Sequence, residues 1–203
     1  MNEFAINIRE KLKKKLDERR YEHTLGVAYT AACLAMRYGV DLKQAELAGL
    51  LHDCAKCMSD TDKVLKCRKH HIPVTAAERK NPSLLHAKLG AYYAKSKYGV
   101  EDEEIISAIA CHTTGKPAMT TLEEILFIAD YIEPDRDKAP DLAVIRSLAF
   151  QDLKLAVAKV LEGTIQYVKK KEDVMDETTL QAYRYYAHLL ETDTTAPDAE
   201  LLQ

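Results

Sequence analysis

The chain offers no route into a membrane and no disulfide framework. No run of residues stays apolar and uncharged for the roughly 20 positions a spanning helix needs. Met1 to Arg20 mixes Lys/Arg with Glu/Asp and lacks the apolar core of a signal peptide. The cysteines, Cys33, Cys54, Cys57, Cys67 and Cys111, are odd in number, which argues for reduced thiols. A bacterial-type cytoplasm is the location these features imply. Only 7 glycines and 6 prolines occur among 203 residues, while 30% are charged, the balance of a soluble helical protein. No Gly-rich phosphate loop, strand-rich region or internal repeat is present. The formal net charge is −3 and no basic block dominates, so a nucleic-acid groove is not indicated. An anionic substrate would have to be drawn in by a metal or by a few local Lys/Arg.

What is present is apolar periodicity of three or four residues in nearly every segment. It predicts helices through Phe4, Ile8, Leu12 and Leu16; from Tyr21 to Tyr38, closed by Gly39; and from Leu42 to Met58. Ser59-Asp60 caps a helix over Val64 and Leu65, which Ile72-Pro73-Val74 breaks, and a short helix starts at Ala76. Asn81-Pro82-Ser83 opens a helix carrying His86, Leu89 and Tyr93 that stops at Gly99. Glu101 to His112 follows, with its acidic residues at the favourable dipole end. Thr113 to Pro117 is a loop, and Thr120 or Thr121 caps a helix ended by Pro134. Leu142 to Phe150, Gln151 to Lys171 and Thr178 to Glu191 complete an all-α bundle. Residues 192–203 are acidic and contain proline, the composition of a disordered tail. The length fits one domain, 1–191, with a sizeable core.

Against this apolar background stands an ordered series of histidines and aspartates: His23, His52-Asp53, His86, His112 and Asp130. Burying one imidazole or carboxylate without a partner costs a few kcal/mol. Burying six calls for something that binds them, and neutral imidazole with carboxylate is the usual nitrogen and oxygen donor set of a divalent metal. Neighbours on a helix point about 100° apart, so His52 and Asp53 reach one ion only at the helix's edge or end. His23 and Asp130 would complete the set and leave open positions for water, as catalytic sites do. Each residue alone has a blander reading: a lone His on an apolar face is usually a satisfied core histidine, and Asp130 a partner for a Lys or Arg. The case lies in the conjunction.

The strings RRYEHTLGVA, LAGLLHDCAK, PSLLHAKLGAYYAK, CHTTGKPAMTTLEEILFIADYIEPDRD and TTLQAY resemble the HD superfamily of metal-dependent phosphohydrolases. Within it they are most similar to the YqeK-type symmetrical bis(5'-nucleosyl)-tetraphosphatases. The resemblance runs from about residue 5 to 191 and is most specific between His112 and Arg136. It implies an all-helical HD fold, an iron ion, and cleavage of diadenosine tetraphosphate into two ADP by a metal-activated water. It makes His23, His52, Asp53 and Asp130 metal ligands, and His86 and His112 groups that face the phosphates or a second ion. Arg136 is similar to the family's phosphate-contacting arginine. Thr113, Thr114 and Gly115 would form a loop over the substrate, and Thr178 and Thr179 would approach the nucleoside. Asp53 could also orient the water, while His86, His112, Lys56 and Arg136 stabilise phosphate charge.

Several alternatives stay open. The ligand types suit iron, manganese, zinc or nickel, as one ion or two. Lys56 is equally a solvated helix residue, and Arg136 a surface partner of Asp135 or Asp137. Cys54-x-x-Cys57 followed by Cys67-x-x-His70 has zinc-ligand types, but a helix continuing from His52 through Met58 would oppose that site. The tyrosines Tyr183, Tyr185 and Tyr186 suit core or interface packing better than base stacking, and a homodimer through them is left open. Rival functions are another HD phosphohydrolase, acting on nucleoside triphosphates, nucleotide monoesters or cyclic nucleotides, or a non-catalytic sensing domain clipped by metal.

Overall fold

The computed structural model describes residues 3–195. Its helices are α1 (Glu3–Lys15), α2 (Glu18–Tyr38), α3 (Leu42–Leu51), α4 (Asp60–Lys69), α5 (Ala76–Lys80), a 3-10 turn (Pro82–Leu84), α6 (Leu85–Ser96), α7 (Glu103–Cys111), α8 (Thr121–Ile132), α9 (Leu142–Ala149), α10 (Leu153–Lys170) and α11 (Glu177–Thr195). No strand occurs among the described residues, so the fold is the expected all-α bundle. Most helices start on a side-chain oxygen that accepts an otherwise unpaired backbone N–H. Asp17, Asp41, Ser59, Asp102 and Asp152 act this way, and Thr75 and Thr120 form full capping boxes with Glu78 and Glu123.

The long α2 lies at the centre, against α3 on one side and α8 on the other. α7 bridges α6 and α8, and α10 joins α8 to α9 and α11. The core between them is aliphatic, with Leu34, Leu50, Leu51, Leu89, Ile109, Leu122 and Ile125 fully buried. α2 and α3 touch backbone to backbone at Gly49, where a Cβ would lie 2.5 Å from the Ala28 Cα. α11 is tied to α8 by Tyr186, whose hydroxyl donates to Glu124 Oε1 at 2.7 Å. Tyr186 is therefore core, as its helical spacing suggested, and Tyr183 packs at the edge of the same core.

The helix expected from Leu42 to Met58 ends at Leu51. Beyond it the chain makes tight turns: Cys54 N–H bonds the Leu51 carbonyl and Lys56 N–H the Asp53 carbonyl. Two side chains compete for the carbonyls a continuing helix would use. His52 Nδ1 takes Gly49 O at 2.7 Å, and Lys15 Nζ takes Cys54 O at 2.8 Å. The His52-Asp53 pair thus sits at a helix end, the arrangement that frees both side chains to aim at one point. Of the segment read as a disordered tail, α11 takes in the residues up to Thr195, and 196–203 lie outside the described residues. No described helix is long and apolar enough to cross a membrane.

Candidate metal centre

Five elements converge on one spot. α2 brings His23, the turn after α3 brings His52 and Asp53, α6 brings His86, the end of α7 brings His112, and α8 brings Asp130. His52, Asp53, His86 and His112 are at most 2% exposed. His23 Nε2 lies 3.2 Å from His52 Nε2 and 3.2 Å from Asp130 Oδ1. On the other side, His86 Nε2 lies 3.1 Å from His112 Nε2. The Asp53 carboxylate stands between the two pairs. Its Oδ2 is 3.5 Å from His52 Nε2 and 3.7 Å from His23 Nε2, and its Oδ1 is 3.2 Å from His86 Nε2 and 3.8 Å from His112 Nε2.

The far side of each ring decides what those nitrogens present. His52, His86 and His112 set Nδ1 against the carbonyls of Gly49, Ser83 and Ile109, at 2.7, 2.5 and 2.8 Å. A carbonyl only accepts, so Nδ1 carries the hydrogen and Nε2 is a bare lone pair in the neutral ring. His23 sets Nδ1 against the Glu133 carboxylate at 3.1 Å, with the same result. Burial pushes the other three imidazoles down, His112 to about 4. Burial also lowers His23, but Asp130 and Glu133 outweigh it and its pKa is raised. For Asp53 burial would raise the carboxyl, but His52, His86 and Lys56 prevail and hold it well below the usual range.

Bare nitrogens facing each other at about 3 Å, as His86 and His112 Nε2 do, repel. The Thr113 hydroxyl lies 3.2 Å from both His86 and His112 Nε2 and has one proton, so it relieves at most one of them. Asp53 Oδ1 is buried with no hydrogen-bond donor. The donor set is therefore electron-rich and under-satisfied, and divalent cations fit it. The ligand atoms of His23, His52 and Asp130 lie within 4.8 Å of one another, as do those of His52, Asp53 and His112.

Cations surround the cluster. Lys56 Nζ is 3.2 Å from His86 Nε2, so Lys56 belongs to the site and not to a solvated helix face. Arg136 Nη2 donates to the carbonyl and the Oδ1 of Asp130, at 2.6 and 2.9 Å, so its partner is neither Asp135 nor Asp137. Arg136 also separates two hollows. One, of about 670 Å³, has a lining of both signs, with Arg19, Arg20 and Lys138 beside Glu22, Asp135 and Asp137. The other, of about 190 Å³, is lined by His112, Thr113, Phe127, Asp130 and Tyr131. Thr114 turns its hydroxyl to the Gly115 carbonyl. Gly115 supplies a left-handed turn (φ 63°) and closes α7 by bonding Cys111 O. Thr178 lines a separate depression with Thr75 and Asp176, and Thr179 is buried; neither is in contact with the cluster.

Sequence reasoning passed over Arg20 and Glu133. Arg20 Nη1 bonds Asp53 Oδ2 at 2.6 Å. It lies three residues before His23 on α2, and that spacing puts it on the same face. Glu133 is a buried carboxylate directly before a proline, and only the tertiary contact reveals what it pairs with. The cysteine-rich alternative finds no support. The Cys54 thiol is buried against Gly90 O and pushed up to about 12, Cys57 faces Asp17, and His70 stacks on Tyr92. The chain does turn between Cys54 and Cys57, so the helix argument against zinc fails even though the site is absent from the described metal-capable groups.

An all-helical bundle that gathers four histidines and two aspartates around a metal-capable centre defines a class. Residues 20–135, more than half of the chain, match the HD domain, and the chain belongs to that family. It is 38% identical over 174 residues to the "Bis(5'-nucleosyl)-tetraphosphatase, symmetrical" of Bacillus subtilis, covering 86% of this chain and 92% of the relative. It is 41% identical over 172 residues to the protein of the same name from Halalkalibacterium halodurans, covering 85% and 91%. Among solved structures it resembles a predicted HD superfamily hydrolase involved in NAD metabolism from Clostridium acetobutylicum. That likeness has a TM-score of 0.87 and 37% identity over 90% of this chain and 96% of the other.

Proposed function

We propose that this protein hydrolyses diadenosine tetraphosphate and related dinucleoside polyphosphates symmetrically, giving two ADP from the former. The observation that carries the reading is the pairing of the metal-capable cluster with named relatives that match nearly end to end.

His23, His52, Asp53 and Asp130 would hold one divalent ion, and His86 and His112 beside Asp53 would hold a second. Support for two ions comes from the two close imidazole pairs, Nε2 to Nε2 at 3.2 and 3.1 Å, that Asp53 stands between. Iron is the metal we assign. Such ions neutralise phosphate oxygens and lower the pKa of water toward neutrality. The chain's own residues do the rest. Arg136, Arg20 and Lys56 bring positive charge to the polyphosphate, Arg136 from between the two hollows and Lys56 beside His86. Thr113 offers a hydroxyl beside His86 and His112. Thr114 and Gly115 shape the loop that presents Thr113, whereas Thr178 and Thr179, placed in and under a separate depression, take no part in this reading. Residues 1–191 work as one unit, since Tyr186 fastens α11 to the helix that carries Asp130.

The test is product identification. Protein purified with its metals should turn diadenosine tetraphosphate into ADP as sole nucleotide product. It should lose activity with a chelator and regain it with ferrous iron. AMP plus ATP, or no turnover with any of iron, manganese, zinc and nickel, would refute the assignment.

A further inference from the structure

His23 is gripped at both nitrogens by carboxylates from one helix end. Asp130 Oδ1 lies 3.2 Å from Nε2, and Glu133 Oε1, three residues on, lies 3.1 Å from Nδ1. The other three histidines of the centre rest Nδ1 on a neutral main-chain carbonyl. Glu133 is only 3% exposed, and its second oxygen, Oε2, accepts from Asp135 N–H at 2.8 Å. The loop that holds it is pinned from α9. Arg146 donates to the carbonyls of Ile132, Glu133 and Arg136 at 3.0, 2.7 and 3.1 Å, which also satisfies the end of α8.

Room for that carboxylate comes from a glycine with no conformational excuse. Gly26 lies inside α2, one turn after His23, without a positive φ. Glycine in a helix interior is less stable than alanine. Yet a Cβ at position 26 would stand 2.8 Å from Glu133 Oε2. The atom it meets is the tip of a flexible side chain, so an alanine there would move the carboxylate rather than the helices.

We propose that Glu133 is the positioning residue of His23, and that Gly26 is the space that admits it. The carboxylate fixes the tautomer and ring plane that point Nε2 into the centre, and its charge makes that nitrogen a stronger donor. The His23 position is then the tighter of the two ion positions. The inference rests on the metal-binding reading above.

The test compares wild type, Gly26→Ala, Glu133→Ala and Glu133→Gln by metal content after desalting and by chelator competition for iron and zinc. Thermal unfolding is measured in metal-free buffer alongside. A group that hydrogen-bonds the far nitrogen of a metal-binding histidine typically contributes about 10- to 100-fold in metal affinity. Glu133→Ala should lose that much at the tighter position, and Glu133→Gln less, because its amide oxygen still accepts from Nδ1. Gly26→Ala should unfold no earlier than wild type and still bind metal more weakly, which no general loss of fold would produce. Wild-type affinity in both Gly26→Ala and Glu133→Ala overturns the inference. A wild type that binds no metal overturns the site reading itself, a separate result.

Discussion

Asp53→Asn changes one oxygen for an amide nitrogen, keeps the shape, and removes the charge between the two histidine pairs. Its two oxygens reach opposite ways, Oδ2 to His52 at 3.5 Å and Oδ1 to His86 at 3.2 Å. The substitution would therefore strike both of the proposed ion positions, whereas losing His86 or His112 would strike one. Loss of a direct ligand should exceed the loss of a group that only orients one, about 100-fold in affinity or about 2.8 kcal/mol per ion. Metal-free stability should suffer far less. Arg20, which loses its partner at 2.6 Å, has 32% of its side chain exposed and can turn to water, so roughly 1 kcal/mol is at stake. The assay is metal content per chain after desalting, with turnover and metal-free urea unfolding on the same preparation. The expected result is loss of both ions, loss of hydrolysis and a nearly unmoved unfolding midpoint. Retention of one ion at full affinity would refute the bridging role, and retention of both with turnover would refute Asp53 as a ligand.

Arg136→Ala should keep its metal, since it touches Asp130 but supplies no ligand, and lose about 100-fold in kcat; unchanged steady-state kinetics would remove it from the reaction. Tyr186→Phe strips the donor from Glu124 Oε1 at 2.7 Å and should cost about 1–3 kcal/mol by chemical denaturation; a neutral effect would mean that water replaces the hydroxyl. Burial raises the Glu124 pKa above 4.5 against the Tyr186 hydrogen bond that lowers it. The folded state thus holds that proton more tightly, and stability falls as pH rises from 4.5 through the folded pKa. Glu124→Gln should flatten this descent, and an identical pH–stability curve would count against it. Thiol reagents followed by mass spectrometry should label exposed Cys33 before Cys54 and Cys111, which are buried and pushed up to about 12; early labelling of either buried thiol would show that the core opens readily.

The amino-acid sequence by itself determined the helical class, most helix limits and the six residues of the centre. Those properties are local: a 3.6-residue apolar period, a capping oxygen at Ser59 or Thr120, and polar groups placed on faces that must be buried. Only the tertiary structure decided where α3 stops, because Lys15 from another helix takes the Cys54 carbonyl that a continuing helix would use. It alone decided that Asp53 lies between two histidine pairs, that Arg136 pairs with Asp130, and that Glu133 stands behind His23. Position 26 reads the same way: along the chain it is an unhelpful glycine in a helix, and in the fold it faces a carboxylate 107 residues away. Periodicity records which side of a helix turns inward, but not which atom it meets there, and the chemistry of this protein depends on the atoms met.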